Sequence, residues 1–192
     1  MTKNLKDEPV VVTGAGGFIG GHLVAELLSR GHQRVRAVDR KPLDDWHQLH
    51  DGVENLVADL NHREACDRAC EGVARVFQLA ADMGGMGFIE THKADCMLSV
   101  LINSHMLIAA RGAAVARYFY ASSACVYAAD RQTDTRVTPL READAYPAMP
   151  EDGYGWEKLF SERMCRHFVE DFGLYCRVAR FHNVYEIGRA HV

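Results

Sequence analysis

Val10-Val11-Val12-Thr13 passes straight into Gly14-x-x-Gly17-x-x-Gly20, and few features narrow the possible folds of a chain more. Consecutive valines without polar alternation describe a short strand buried on both faces, as at the centre of a parallel sheet. Glycines three apart permit a tight turn, so that a helix can start against the strand end with its backbone N–H groups unobstructed. Strand, turn and helix open a βαβ unit whose helix N-terminus suits a pyrophosphate.

The pattern then repeats. Apolar runs predict strands at residues 10–13, 34–39, 56–58, 73–80, 117–122 and 174–180, and segments of helical period separate them. Helices are predicted at 22–30, closed by Gly31, at 61–70, with Asn61 as N-cap and Glu64 three residues on, at 88–111 and at 152–171. Residues 133–152 hold Pro139, Pro147 and Pro150 and read as an irregular loop. The expected architecture is α/β, a Rossmann-type doubly wound parallel sheet with helices on both faces.

With 192 residues, 48% of them apolar, the chain can bury one real core. Its net charge of −4 comes without a basic cluster, which argues against nucleic acid, although a few local cations can still grip an anionic substrate. No segment approaches the ~20 apolar residues of a membrane span, and residues 1–8 lack the apolar core of a signal peptide, so a cytoplasmic protein is expected. Cysteines 66, 70, 96, 125, 165 and 176 read as reduced thiols. Cys66 and Cys70 lie one helical turn apart without a further ligand at metal spacing, so they read as packing residues, and no metal site is expected.

Asp39 ends the second strand about 20 residues past the last glycine, where a carboxylate binds the adenosine ribose and repels the extra phosphate of NADP. NAD is therefore the expected cofactor, held by Gly14, Gly17, Phe18, Ile19, Gly20 and Asp39. Asp59, at the end of the third strand, is placed to reach the adenine. Tyr154 and Lys158 stand four apart on one helix face. A phenol of pKa ~10 is a poor base at neutral pH unless a neighbouring cation stabilises the phenolate. Ser123, at a strand end, completes what alcohol oxidation by hydride transfer needs. Cys125, two residues on and on the same face of an extended segment, adds a second acid/base group that simple oxidation does not use.

Thr13-Gly14 through Gly20, Ser123 with Tyr154 and Lys158, and the run Arg180-Phe181-His182-Asn183-Val184-Tyr185 resemble the extended short-chain dehydrogenase/reductase family of nucleotide-sugar epimerases and dehydratases. Ala81-Asp82-Met83-Gly84-Gly85-Met86-Gly87-Phe88-Ile89 and residues 120–125 resemble the subgroup of that family acting on GDP-mannose. The resemblance implies that Ser123, Tyr154 and Lys158 transfer hydride with NAD, Tyr154 and Lys158 also touching the cofactor. It implies that Cys125 is an acid/base on the sugar ring, that Met83, Gly84, Gly85, Met86 and Ser123 contact the sugar, and that Asn183 contacts its diphosphate. The full-length parent is expected as a homodimer. A 4-epimerase or 4,6-dehydratase of another nucleotide sugar would use the same hydride chemistry, and a non-catalytic NAD-binding protein would keep only the fold. Ser99 departs from the family pattern, standing where many relatives carry Asn.

Relatives run from Asn-Val-Tyr into Gly-Pro and a long substrate-binding region that contains the second ring acid/base, a lysine. Here Tyr185 is followed by residues 186–192. Ile187 to Val192 is what ATC GGA AGA GCA CAC GTC encodes, a string resembling a sequencing adapter. Residues 1–185 are accordingly expected to be the cofactor-binding domain, 186–192 a non-native tail, the C-terminal substrate domain missing, and the fragment itself inactive.

Overall fold

A computed structural model describes residues 5–83, 86–132 and 139–185. Six strands form one sheet: β1 (Val10–Thr13), β2 (Val35–Asp39), β3 (Glu54–Val57), β4 (Arg75–Gln78), β5 (Arg117–Ser123) and β6 (Cys176–Phe181). Every pairing is parallel and the spatial order is β3-β2-β1-β4-β5-β6. Chain order reverses beside β1, and at that switch point the strand ends open a crevice where doubly wound sheets bind ligands. The predicted architecture is the one observed.

Helices α1 (Phe18–Ser29), α2 (Arg63–Cys70), α3 (Met86–Thr91), α4 (Lys93–Gly112) and α5 (Asp152–Phe172) surround the sheet. Val11, Val38, Val76, Tyr118 and Tyr120 point to one face and pack with Cys66, Cys70, Met106, Leu107, Cys165 and Phe168 from α2, α4 and α5. Val10, Val12, Val35 and Ala37 point to the other and meet Val24 and Leu27 of α1. The paired-ligand option for Cys66 and Cys70 gives way to packing: both are buried in the first core, and burial pushes each thiol up to about 12. On the α1 side, Phe77, Phe119 and Phe181 form a half-buried aromatic row across β4, β5 and β6.

Several boundaries differ from expectation. The first helix begins at Phe18, four residues early, because the glycine turn itself winds into it. β3 lies at 54–57 and β4 at 75–78, set by pairing with β2 and β1 rather than by the extent of the apolar runs. Asn61 is not an N-cap. His62 holds that position without a side-chain bond, and Asn61 instead donates to Asp59 through its backbone and side-chain nitrogens, both at 2.9 Å. The single helix expected at 88–111 is two, broken at His92, whose φ of −122° and ψ of 47° are not helical. The expected loop at 133–152 contains a short 3-10 turn at Glu142–Ala145, another precedes it at Ala129–Gln132, and residues 133–138 lie outside the described residues, as do 186–192.

The glycine turn is closed by backbone contact. Gly14 has φ +69°, and a Cβ on Gly20 would overlap the Gly14 carbonyl oxygen. Gly20→Ala is therefore expected to destabilise the protein by roughly 1–3 kcal/mol, the usual cost of overpacking, read from the midpoint of a urea unfolding curve.

Candidate active site

The carboxyl ends of β1, β2 and β4 carry the candidate cofactor residues. Asp39 accepts hydrogen bonds from the backbone N–H of Gly16 and of Lys41, both at 3.0 Å, so its carboxylate is locked to the glycine turn at the end of β2. Phe18, Ile19 and Gly20 form the first turn of α1, whose amides have no partner within the helix and no side-chain cap from Gly17. Arg40 reaches over the turn to Asp82, Nη1 to Oδ1 2.5 Å, tying the segments after β2 and β4 together. Asp59 follows β3, exposed, with Oδ1 occupied by Asn61. A turn with no room for side chains, beside a fixed carboxylate, fits a dinucleotide.

The catalytic candidates converge from two elements. β5 ends at Ser123 and is followed at once by a 3-10 turn, Ala124–Val126. The extended segment expected to carry Cys125 is thus replaced by a turn. It is still Ser123 that organises it, its Oγ accepting from the Cys125 N–H at 3.2 Å. The first turn of α5 presses against this feature: Glu151 N–H donates to the Cys125 carbonyl at 2.9 Å, and a Cβ on Gly155 would overlap that same oxygen. Gly155 thereby lets Tyr154 stand beside Ser123 and Cys125. A short-range bond joins Lys93 at the start of α4 to Asp152 at the start of α5, and Asp152 itself adopts φ +44°. Val126, Tyr127, Ala145 and Leu159 form a small apolar cluster beneath the turn. Arg180 secures the β6 end, gripping Glu162 through Nε at 2.9 Å and Nη2 at 2.8 Å, while Ser122 donates to the same carboxylate at 2.5 Å.

Tyr154 is 6% exposed and Lys158 3%. The Lys158 ammonium lies 5.5 Å from the Tyr154 ring centroid and 5.0 Å from that of Tyr120, and donates to the Ala121 carbonyl at 3.3 Å. Burial holds the Tyr154 phenol above its ordinary range, with Cys125 and Glu157 adding to the shift and a bond with Ser123 opposing it. Burial also raises the Cys125 thiol, which a bond to Ser123 offsets and Glu151 reinforces. Lys158 is pulled down by burial and held up by Glu157. The arrangement sets a protonated thiol at Cys125, which can offer a proton, beside a phenol at Tyr154 that can take one from a hydroxyl once a neighbouring cation stabilises its phenolate.

Other candidates are placed less tightly. Met83 is exposed just before α3, the Met86 backbone opens that helix, and Gly84 and Gly85 lie outside the described residues. Asn183 is exposed two residues past β6. Ser99 is fully buried and accepts from the Asp82 N–H at 2.8 Å, so it shapes the segment after β4. Sequence reasoning missed Asn103, Glu157, Ser161 and Glu162. Only Glu157 carried a signal, an acidic residue on a helix face that also holds Tyr154 and Lys158.

Parallel order, switch-point crevice and glycine turn define a dinucleotide-binding protein of the Rossmann type. The chain belongs to the NAD dependent epimerase/dehydratase family, whose sequence pattern matches residues 10–190, and its cofactor is NAD. It is 44% identical over 183 residues to GDP-mannose 3,5-epimerase 1 of Oryza sativa subsp. japonica, covering 92% of this chain and 46% of that protein. With GDP-mannose 3,5-epimerase of Arabidopsis thaliana it shares 42% over 191 residues, covering 96% and 48%. The chain thus spans about half the length of the curated relatives it matches. The structure of UDP-glucose 4-epimerase from Thermus thermophilus superposes with a TM-score of 0.76 at 24% identity, covering 90% of this chain and 54% of that one, and shows the same fold. Among the described residues no helix is long and apolar enough to cross a membrane.

Two outcomes follow from this geometry. Asp39→Ala is expected to weaken NAD binding and narrow its margin over NADP, measured by fluorescence titration. A cation arriving beside Tyr154 stabilises the phenolate, so the Tyr154 titration, isolated as the ultraviolet difference between the unchanged protein and Tyr154→Phe, is expected to move to lower pH when NAD is added.

Proposed function

We propose that this chain is the cofactor-binding half of an NAD-dependent epimerase of nucleotide sugars, acting on GDP-mannose at ring carbons 3 and 5. The observation that carries the reading is the thiol of Cys125 held by the Ser123 turn beside Tyr154, a second proton-transfer group that alcohol oxidation alone would not require. The 42–44% identity to the plant enzymes supports the same substrate.

Bound NAD would supply the hydride acceptor and later the hydride donor. Tyr154, as phenolate, takes the proton of the sugar 4-hydroxyl, Ser123 orients that hydroxyl, and the Lys158 charge stabilises the phenolate. The resulting 4-keto sugar has acidic hydrogens on both neighbouring carbons. Cys125, protonated in the buried site, donates to one ring face after a partner removes a proton from the other. That partner is expected in the part of the longer relatives that this chain does not span. Met83, Gly84, Gly85 and Met86 would line the sugar, and Asn183 would meet the diphosphate.

The 192-residue chain alone is expected to bind NAD weakly and turn nothing over, because the sugar nucleotide lacks its cover. The half-buried Phe77-Phe119-Phe181 row is where the remaining part of a longer protein would pack. A homodimer would form through α4 and α5, which expose Met97, Leu101, Ile108, Trp156 and Phe160. Six free cysteines suit a reducing cytoplasm.

In a full-length version incubated with GDP-mannose in heavy water, deuterium is expected at C3 and C5. Cys125→Ser is expected to abolish this exchange while NAD reduction stays detectable, and Tyr154→Phe to abolish both. Deuterium absent from C3 and C5 despite turnover would assign a 4-epimerase or dehydratase instead, and NAD binding without any turnover a non-catalytic protein.

A further inference from the structure

Lys158 must carry a positive charge to support a phenolate, yet it sits where charge is costly. Its side chain is almost wholly buried, and burial favours the neutral amine. From β5 it meets the Tyr120 ring and the Ala121 carbonyl. On α5 it meets Tyr154, Cys165 and Glu157. Burial holds the Tyr120 hydroxyl neutral, and a bond with Cys176 together with burial does the same for the Cys165 thiol. The carboxylate in this set is Glu157, whose side chain is fully buried and whose Oε2 lies 3.9 Å from the Lys158 Nζ.

Glu157 is divided between two tasks. Its Oε1 accepts from Asn103 Nδ2 at 2.5 Å and from Ser161 Oγ at 2.8 Å. Its Oε2 has no hydrogen-bond donor among the described residues, which leaves that oxygen to the ammonium. Beyond Lys158 and Ser161, Glu157 faces Tyr120 on β5, Cys96 and Asn103 on α4, and Tyr154 on its own helix. Asn103 is oriented in turn: its Oδ1 accepts from Gln78 Nε2 at 2.8 Å, and its Nδ2 also reaches the Tyr120 hydroxyl at 3.2 Å. Gln78 is fixed by Thr13, whose Oγ1 bonds to the Gln78 Oε1 and accepts the N–H of Leu79 at 3.1 Å. A continuous buried polar chain thus runs from the residue before the glycine turn, across β4 and α4, to the catalytic helix.

We propose that Glu157 is a positioning residue for the reaction, oriented through Asn103, Gln78 and Thr13, and that its free carboxylate oxygen keeps Lys158 charged and sets the upper pH limit of hydride transfer. The inference rests on the function proposed above for Tyr154 and Lys158. It assigns Asn103 the task of aiming Glu157, so that a change at the end of β1 is felt at the ammonium.

Glu157→Gln preserves the size of the side chain and an acceptor for Asn103 and Ser161 while removing the charge. In the full-length protein with NAD bound, the Lys158 ammonium can be followed by nitrogen-15 lysine NMR, its signal assigned through Lys158→Arg. In Glu157→Gln its titration midpoint is expected to fall by about one pH unit or more. The alkaline limb of sugar-dependent NAD reduction is expected to move down with it, with the NAD Kd at pH 6 within twofold of the unchanged protein. Asn103→Leu, which leaves the charge but frees its aim, is expected to shift both in the same direction by less. It serves as the deciding variant if Glu157→Gln does not fold. A Lys158 midpoint unchanged in the variant that folds would overturn the proposal. If the unchanged protein shows no sugar-dependent NAD reduction, the function reading fails, while the NMR titration still decides the role of Glu157.

Discussion

Everything in this molecule is arranged around a strand that touches no water. Val10, Val11 and Val12 are fully buried, the middle one turned to the core beneath α2, α4 and α5 and its neighbours to the core beneath α1. A four-residue strand in that position must have a parallel neighbour on each side to satisfy its backbone, and β2 and β4 provide them. Because β2 continues one way and β4 the other, the end of β1 is the place where the covering segments part. The glycine turn, Asp39 and the Arg40–Asp82 bridge all sit at that parting, so the cofactor crevice follows from how the central strand is buried.

The candidate catalytic group depends on a second constraint, the approach of α5 to the turn after β5. Tyr154, Ser123 and Cys125 meet because Gly155 has no side chain to hold the helix away from the Cys125 carbonyl. Burial then acts on all three titratable groups together. It keeps the phenol and the thiol protonated and favours the neutral amine, so the site rests in a state from which charge must be drawn out by neighbours. The Glu157 carboxylate is the neighbour already in place.

Much of this was legible in the residues alone. The valine run with its glycines, the alternation of strand and helix, and the Tyr154–Lys158 spacing each express a local rule, and local rules survive folding. Boundaries were less legible, since β3 and β4 end where their partners end, whatever the extent of the apolar run. The 3-10 turn at 124–126 was hidden because Ala-Cys-Val carries no glycine, proline or asparagine to announce it. The break at His92 was hidden for the same reason. The link between Asn103 and Glu157 could not be read at all: the two stand 54 residues apart, and only the packing of α4 on α5 brings them together.

The contact between Gly155 and position 125 joins a missing side chain to a main-chain oxygen, and it is indifferent to what residue 125 carries. Under the function proposed above, substitution at 125 can therefore alter which proton is moved on the sugar without disturbing where the phenol stands, whereas a single added carbon at 155 displaces the helix itself. The two halves of the chemistry are separable in descent. Under that same proposed function, a lineage could exchange the thiol for another group, and acquire a different product, while inheriting the oxidation step unaltered.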